Sequence, residues 1–232
     1  MDLKDTQTIE KLDEAQDKIA KMEWYQQNQH TFPPLPSADL ENEIMDLYAN
    51  HPEINNNIDP NAWNQTYTCK KFFPKNPTPE SICIEDIAHA LSMQCRFGGH
   101  TSCFYSTAQH SVLVSFLCGK DLELHGLIHD AAEAYCGDML APTKGLPELK
   151  PYKDLENNIQ LAICMKFGVP FGHVADVKRA DMLALSIEAR SLMAPINNEW
   201  KLPFPNIGLE ITPLAPKESE ALFLNRFVEL TR

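Results

Sequence analysis

The stretch that decides the fold is residues 107–135, which read TAQHSVLVSFLCGKDLELHGLIHDAAEAY. Its apolar side chains recur at the three- and four-residue steps of a helix in two blocks, Thr107–Leu117 and 122–135. Gly119 lies between the blocks, where a glycine suits the end of a helix. The stretch therefore predicts two consecutive helices with a short connection.

Helical patterns continue on both sides of this stretch. Upstream, one helical face carries Ile84, Ile87, Ala88, Leu91 and Cys95. Downstream, the pattern returns over residues 149–167, 174–193 and Pro216–Leu230. The two-residue alternation typical of strands is scarce, and its best candidate is 64–73. The sequence predicts an all-α domain, a helical bundle over residues 81–232.

Residues 1–80 differ from this domain in composition. Within 8–29, a narrow apolar stripe of Leu12, Ala15, Ile19 and Met22 predicts an amphipathic helix, either a docking helix or a frayed arm. Prolines and asparagines fill residues 31–81 and leave room for one short helix near 40–49. We therefore expect an N-terminal extension of helical and irregular structure.

Length and charge limit the function. A chain of 232 residues has room for one domain plus appendages, since a domain averages about 150 residues. The net charge of −12 argues against a nucleic-acid polymer and favours a small-molecule ligand. No segment approaches the roughly 18 apolar residues of a membrane span, and the first residues lack the apolar core of a signal peptide. We expect no membrane partner and a cytoplasmic location.

Several common catalytic motifs are missing from the sequence. Neither Gly-x-Gly-x-x-Gly nor the Walker loop occurs, and His-Glu-x-x-His and Gly-x-Ser-x-Gly are also missing. The seven cysteines form no Cys-x-x-Cys pair, and we interpret them as reduced thiols, mostly in the core. Glycine-rich phosphate loops, zincins and serine hydrolases are therefore disfavoured.

What remains is a set of dispersed polar residues on predicted helices, namely His110, His129, Asp130, Glu133 and Asp181. Two imidazoles and two carboxylates form a mixed N/O shell for a divalent transition metal, with positions left for water or substrate. Each histidine taken alone is more often an ordinary surface or core residue than a metal ligand. Glu133 falls one turn after the His129-Asp130 doublet, where it either assists a bound group or pairs with a nearby base.

The order of these residues on a helical chain resembles the H…HD…D signature of HD-domain metal-dependent phosphohydrolases. The run from His129 to Lys144, HDAAEAYCGDMLAPTK, is similar to a segment of the YfbR-like 5′-deoxynucleotidase branch. Phage-borne HD proteins related to dATP triphosphohydrolases share much of this run. The resemblance spans residues 84–193 and implies an HD-domain helical bundle.

The resemblance also implies roles for single residues. It implies a bound divalent transition metal such as Co, Mn or Zn. The implied ligands of this metal are His110, His129, Asp130 and Asp181. The resemblance makes Glu133 and Asp130 the catalytic residues, with Glu133 assisting the attacking water. The implied substrate-binding residues are Arg96, Phe97, His100, Asp138 and Lys144. Phe97 stands where the branch usually has tryptophan, and His100 lies in a Gly-Gly-His stretch that the bacterial pattern lacks.

The activity implied is hydrolysis of a nucleotide, a small-molecule substrate, by a homo-oligomer. The leading expectation is hydrolysis of a 5′-deoxynucleoside monophosphate to deoxynucleoside and phosphate. One alternative is a dNTP triphosphohydrolase that releases triphosphate from a substrate such as dATP, and cyclic-nucleotide phosphodiesterases share the ligand set. An alternative of another class is a catalytically silent HD fold that serves as a binding or assembly module.

Overall fold

The computed structural model describes residues 62–172, 175–193 and 195–232. The helices predicted within 8–29 and near 40–49 lie outside the described residues. Over the described ranges the chain is mostly helical, with one two-stranded sheet. The all-α prediction is confirmed.

The elements follow one another with short connections. Two-residue strands β1 (Asn64–Gln65) and β2 (Lys71–Phe72) pair antiparallel. The helices are α1 (Ile84–Met93), α2 (Thr107–Leu117), α3 (Glu123–Ile128), α4 (Glu133–Cys136), α5 (Ala141–Lys144), α6 (Lys150–Phe167), α7 (Ala175–Leu192) and α8 (Pro216–Leu230). None of these helices combines the length and apolar character needed to cross a bilayer.

Helix α2 lies at the centre of the bundle. Every residue from Thr107 to Phe116 is buried, because α3, α7 and α8 all pack against this helix. Polar as well as apolar side chains of α2 are buried, as expected of a helix that is covered on all sides. The Ser106 side chain accepts a hydrogen bond from the Gln109 backbone N–H and caps its first turn. His110, on this helix, is therefore held in the interior.

The strand pair belongs to the same core as the helices. Phe72 is fully buried and its ring stacks on Tyr135, with ring centres 4.2 Å apart. The backbone N–H and hydroxyl of Thr68 donate to the Asp86 carboxylate at 2.6 and 2.9 Å. These contacts fix the hairpin against the start of α1.

The block 122–135, predicted as one helix, forms two helices separated by residues 129–132, which we call the HD turn. Hydrogen bonds here span three residues, from Ala131 N to Ile128 O and from Glu133 N to Asp130 O, both 3.0 Å. The prediction of a continuous helix is wrong because the Gln160 side chain occupies backbone groups of this turn. Glu133 and His129 consequently do not share one regular helix face.

The cysteines depart from the predicted distribution. All seven lie in the described ranges as free thiols, and only Cys118 and Cys164 are fully buried. Cys69 and Cys103 are exposed. The expectation that most of them lie in the core is wrong.

Gly126 marks the closest approach of α3 to α2. A Cβ at this position would lie 2.7 Å from Cys118 Sγ and 3.1 Å from the Ser115 Cα. We expect Gly126→Ala to lower the free energy of unfolding by about 1–3 kcal/mol in urea titrations, because the two helices must separate. Gly119→Ala is the control, since a Cβ there meets nothing within 4 Å. Equal destabilisation by both variants would contradict the close approach.

Candidate metal centre

Four side chains from α2, the HD turn and α7 converge on one point. His110 Nε2 and His129 Nε2 are 3.3 Å apart. Asp130 Oδ2 lies 3.2 Å from His129 Nε2 and 3.5 Å from His110 Nε2. Asp181 Oδ1 lies 3.5 and 3.9 Å from the same two nitrogens. One carboxylate oxygen of each aspartate therefore lies within 4 Å of both imidazole nitrogens.

The spacing of these atoms suits a single cation. Donors bound at 2.0–2.2 Å in a tetrahedral or octahedral shell lie about 2.8–3.6 Å apart. Asp181 Oδ1 lies near both imidazole nitrogens but outside the group of atoms that all lie within 4.8 Å of one another. That group has three residues, His110, His129 and Asp130, which each offer one ligand atom. The group can hold a metal ion, and its N/O donor set is compatible with several divalent transition metals.

Both histidines are oriented by a hydrogen bond at the other ring nitrogen. His110 Nδ1 lies 2.7 Å from Glu188 Oε1, and His129 Nδ1 lies 2.8 Å from the Gly126 carbonyl oxygen. Each acceptor fixes the proton on Nδ1, so that the Nε2 lone pair faces the centre. This is the tautomer that a metal ligand requires.

Glu188 is the residue that holds His110 in place. It is fully buried on α7 and also accepts a hydrogen bond from the Tyr105 hydroxyl at 2.9 Å. Burial alone raises the pKa of Glu188, but His110 and Arg96 outweigh it and hold the pKa below its usual value. Glu188 thus remains an anion in the interior, paired with both groups.

Arg96 lies between two of these carboxylates. Its Nη1 is 3.5 Å from Asp130 Oδ2 and its Nε is 3.3 Å from Glu188 Oε2. Arg96 N donates to the Tyr105 carbonyl at 2.9 Å, which anchors the backbone beside α2. Burial lowers the pKa of Arg96, but the surrounding carboxylates raise it overall. The guanidinium is a fixed positive charge at the edge of the centre.

The electrostatics of the four ligands follow from their proximity. Burial raises the pKa of Asp130 and Asp181, yet the neighbouring histidines hold both well below the usual range. The same carboxylates and Glu188 raise the pKa of His110, although burial and Arg96 lower it. The anionic centre therefore favours a cation, either a proton or a metal ion.

The four side chains differ in their exposure to solvent. His110 is fully buried, whereas 12% of the His129 side chain and 16% of the Asp181 side chain are exposed. Asp130 is the most open of the four, with 26% exposed. A ligand would thus enter past Asp130, beside Arg96.

Glu133 is a buried carboxyl next to this opening. Burial, followed by the charges of Asp130 and Asp138, raises the pKa of Glu133 to about 9 against the opposing charges of Lys144 and Arg96. Its Oε1 lies 3.2 Å from Lys144 Nζ, while its buried Oε2 has no hydrogen-bond partner. Glu133 is not the surface glutamate of the alternative interpretation. Its raised pKa favours the protonated form at neutral pH.

Lys144 is engaged by two carboxylates. Its Nζ lies 3.2 Å from Glu133 Oε1 and 2.5 Å from Glu156 Oε1. Burial lowers the pKa of Lys144, but Glu133 and Glu156 raise it overall. Lys144 is therefore charged, and its contacts within the chain compete with any phosphate.

The other residues named for substrate binding differ in burial and in their contacts with the centre. The half-buried Phe97 has a positive φ of 57°, and its ring centre lies 5.7 Å from the Arg96 guanidinium and 6.5 Å from the Trp200 ring. Asp138 is half-buried and near enough to Glu133 to affect its pKa. His100 is exposed, and its backbone N–H donates to the Phe97 carbonyl at 3.1 Å.

Comparison with known proteins identifies a family for this chain. No family model matches the chain. The Escherichia coli K12 protein YfdR is 39% identical over 171 residues, which cover 72% of this chain and 94% of YfdR. The chain belongs to the YfdR family. The Rhodobacter capsulatus protein RCAP_rcc00048 is 33% identical over 190 residues, 74% of this chain and 96% of that protein.

Both YfdR-family relatives are described as uncharacterized proteins. Membership in the YfdR family therefore assigns no activity, and HD-domain membership stays a prediction. The geometry of the candidate metal centre carries the functional argument.

Two residues of the centre were not identified from the sequence, Glu188 and Gln160. Glu188 follows Asp181 by seven residues on α7, which is two helical turns and hence the same face. A carboxylate at that spacing within an otherwise apolar face was the available signal. Gln160 gave no such signal, because its partners lie 28 and 32 residues away in the sequence.

Replacement of Glu188 tests its part in the centre. We expect Glu188→Gln to lower metal affinity by about 10- to 100-fold in chelator competition, since its amide no longer fixes the His110 proton on Nδ1. Glu220→Gln is the matched control. Glu220, on α8, also pairs with a histidine Nδ1, that of His89 on α1, at 3.1 Å. Metal affinities within about twofold of the parent value in both variants would contradict the role of Glu188.

Proposed function

We propose that this YfdR-family chain is an HD-domain metal-dependent phosphohydrolase that converts 5′-deoxynucleoside monophosphates to deoxynucleoside and phosphate. The observation that carries the proposal is the convergence of His110, His129, Asp130 and Asp181, with both histidine Nδ1 atoms engaged elsewhere. A protonated carboxyl and a fixed guanidinium beside the same opening complete the groups that phosphoryl transfer needs. The substrate class rests on the sequence resemblance.

The four ligands would hold one divalent ion at the bottom of the opening. Such an ion, when bound, supplies Lewis acidity toward phosphate and lowers the pKa of the attacking water. Arg96 lies at the mouth, where its planar donors match the non-bridging phosphoryl oxygens. Asp130, the most exposed ligand, is placed to accept a hydrogen bond from the water and to orient it.

Glu133 supplies the proton that the leaving group needs. As the water oxygen joins phosphorus, the bond from phosphorus to the 5′ oxygen breaks and that oxygen takes the Glu133 proton. The proton released by the water then restores the Glu133 carboxyl. A pKa of about 9 keeps this acid loaded at neutral pH.

The cations around the opening favour a monophosphate over a triphosphate. Attack on a dNTP at the α-phosphorus requires further cations for the distal phosphates. Both cations named for phosphate contact are already paired with carboxylates. Lys144 contacts Glu133 and Glu156. Arg96 contacts Asp130 and Glu188. Triphosphohydrolase activity is the second candidate, and a homo-oligomer in which a neighbouring subunit adds cations stays a prediction.

A nucleotide panel tests the proposal. Purified protein is incubated with dAMP or dATP in the presence of Co²⁺, Mn²⁺ or Zn²⁺, and the products are separated by chromatography. We expect deoxyadenosine and phosphate from dAMP. Deoxyadenosine with triphosphate from dATP alone would favour the second candidate. Metal binding without turnover of either nucleotide, or of a cyclic nucleotide, would contradict the enzyme and favour a binding module.

A further inference from the structure

The HD turn interrupts what would otherwise be one helix from α3 to α4. In a continuous α-helix the N–H of Ala132 would donate to the carbonyl of Ile128. Both groups instead bond to Gln160 on α6: Ala132 N donates to Oε1 at 3.1 Å, and Nε2 donates to Ile128 O at 2.8 Å. One side-chain amide stands in the place of a backbone hydrogen bond.

This opening changes the direction of the metal ligands. The turn uses three-residue hydrogen bonds, which advance the chain by about 120° per residue, compared with about 100° in an α-helix. Over three residues the difference adds up to about 60°, so a continuous α-helix through residues 129–132 would give these side chains a different direction relative to His110. The bond from His129 Nδ1 to the Gly126 carbonyl, 2.8 Å, then fixes the imidazole in this geometry.

We propose that Gln160 is a positioning residue of the metal centre, whose amide holds the HD turn open and so aims His129 and Asp130 at the shared cation. The inference rests on the metal centre of the proposed function. It extends that centre to α6, which carries none of the four candidate ligands but bonds to the HD turn that carries two of them. Gln160 itself touches neither metal nor substrate.

The variant Gln160→Met separates positioning from general packing. Methionine matches the length of glutamine and favours helix, but it offers neither the donor nor the acceptor. Ala132 N–H and Ile128 C=O are then free to pair with each other, so the midpoint of thermal unfolding should equal or exceed that of the parent. Affinity for Co²⁺ should nevertheless fall by about 10- to 100-fold, the effect typical of losing an orienting partner.

Co²⁺ serves as the probe because its visible spectrum reports coordination geometry. Chelator competition gives the affinity, and we expect the band shape of bound Co²⁺ to change in Gln160→Met. The ¹³Cα shifts of Asp130 and Ala131 should move toward helical values without any metal. In Gln160→Asn the side chain is one methylene too short to reach both backbone groups, and its affinity for Co²⁺ should fall to a similar extent. Asn157→Met, at an exposed site on α6, is the control and should behave as the parent.

Parental Co²⁺ affinity and spectrum in Gln160→Met would overturn the inference. So would a fall in affinity matched by an equal fall in stability, because that is the signature of a packing role. A parent that binds no Co²⁺ would contradict the metal centre, and the ¹³Cα shifts would then decide whether Gln160 opens the turn. A parent that binds Co²⁺ but hydrolyses no nucleotide would contradict the proposed function alone.

Discussion

Replacement of Asp130 by alanine is expected to lower kcat/KM by about a thousandfold or more, equivalent to roughly 4 kcal/mol in the barrier. Its Oδ2 lies 3.2 Å from His129 Nε2 and 3.5 Å from His110 Nε2. Without it the centre offers three ligands, and the water loses its acceptor. We expect metal content, measured on the purified protein, to fall in parallel with turnover.

The control for this change is Asp154→Ala. Asp154 is exposed and pairs with Lys150 four residues earlier on α6, a contact that contributes about 0.3–0.5 kcal/mol. This variant should keep its metal and its turnover. A variant Asp130→Ala that retains both would contradict the ligand assignment, whereas metal loss from a parent without turnover would favour the binding module.

The helical spacing of apolar residues and the residue types that mark helix ends were sufficient to predict most of the fold. Thr107–Leu117 and Pro216–Leu230 begin and end as predicted, because apolar spacing, Ser106 and Pro216 mark their limits locally. The block 149–167 begins one residue before α6, and the block 174–193 ends one residue after α7. Residue 174 lies outside the described residues. Local patterns determine such helices, and the sequence displays them.

The break at the HD turn could not be predicted in the same way. Nothing in residues 122–135 forbids a helix, since no proline or helix-ending glycine separates Ile128 from Glu133. The interruption comes from Gln160, which becomes a neighbour only after α6 has packed. Residue types and order therefore indicated the ligands, but the geometry that aims two of them depends on a tertiary contact.

The state of the buried residues around the candidate ligands could not be predicted from the sequence either. A glutamate on a helix is usually a surface residue, and Glu188 is an anion only because Arg96 and His110 face it in the interior. Glu133 was named from its position after the doublet. That it is a protonated acid rather than an ion follows from its burial and from the neighbouring carboxylates, which the sequence alone does not specify.

Replacement of Glu133 by glutamine is expected to lower kcat by about 10²- to 10⁴-fold while leaving metal content unchanged. Glu133 lies outside the four ligands, and glutamine keeps its shape but has no proton to give. The pKa of Glu133 is raised, so the active, protonated form dominates below about pH 9 and is lost as the pH rises through that value. The parent should therefore lose rate above about pH 9, and Glu133→Gln should lack this alkaline limb.

Glu156→Gln separates the loss of the acid from the loss of a partner for Lys144. Both glutamates bind Lys144 Nζ, at 3.2 Å for Glu133 and 2.5 Å for Glu156. If Glu133 acts through its proton, Glu156→Gln should retain turnover within a few fold, and p-nitrophenyl phosphate, whose leaving group needs little protonation, should react with Glu133→Gln far better than dAMP does. Equal losses of turnover in both variants, or in Glu133→Gln equal losses with both substrates, would indicate that Glu133 serves to hold Lys144. The acid that protonates the 5′ oxygen would then be unidentified.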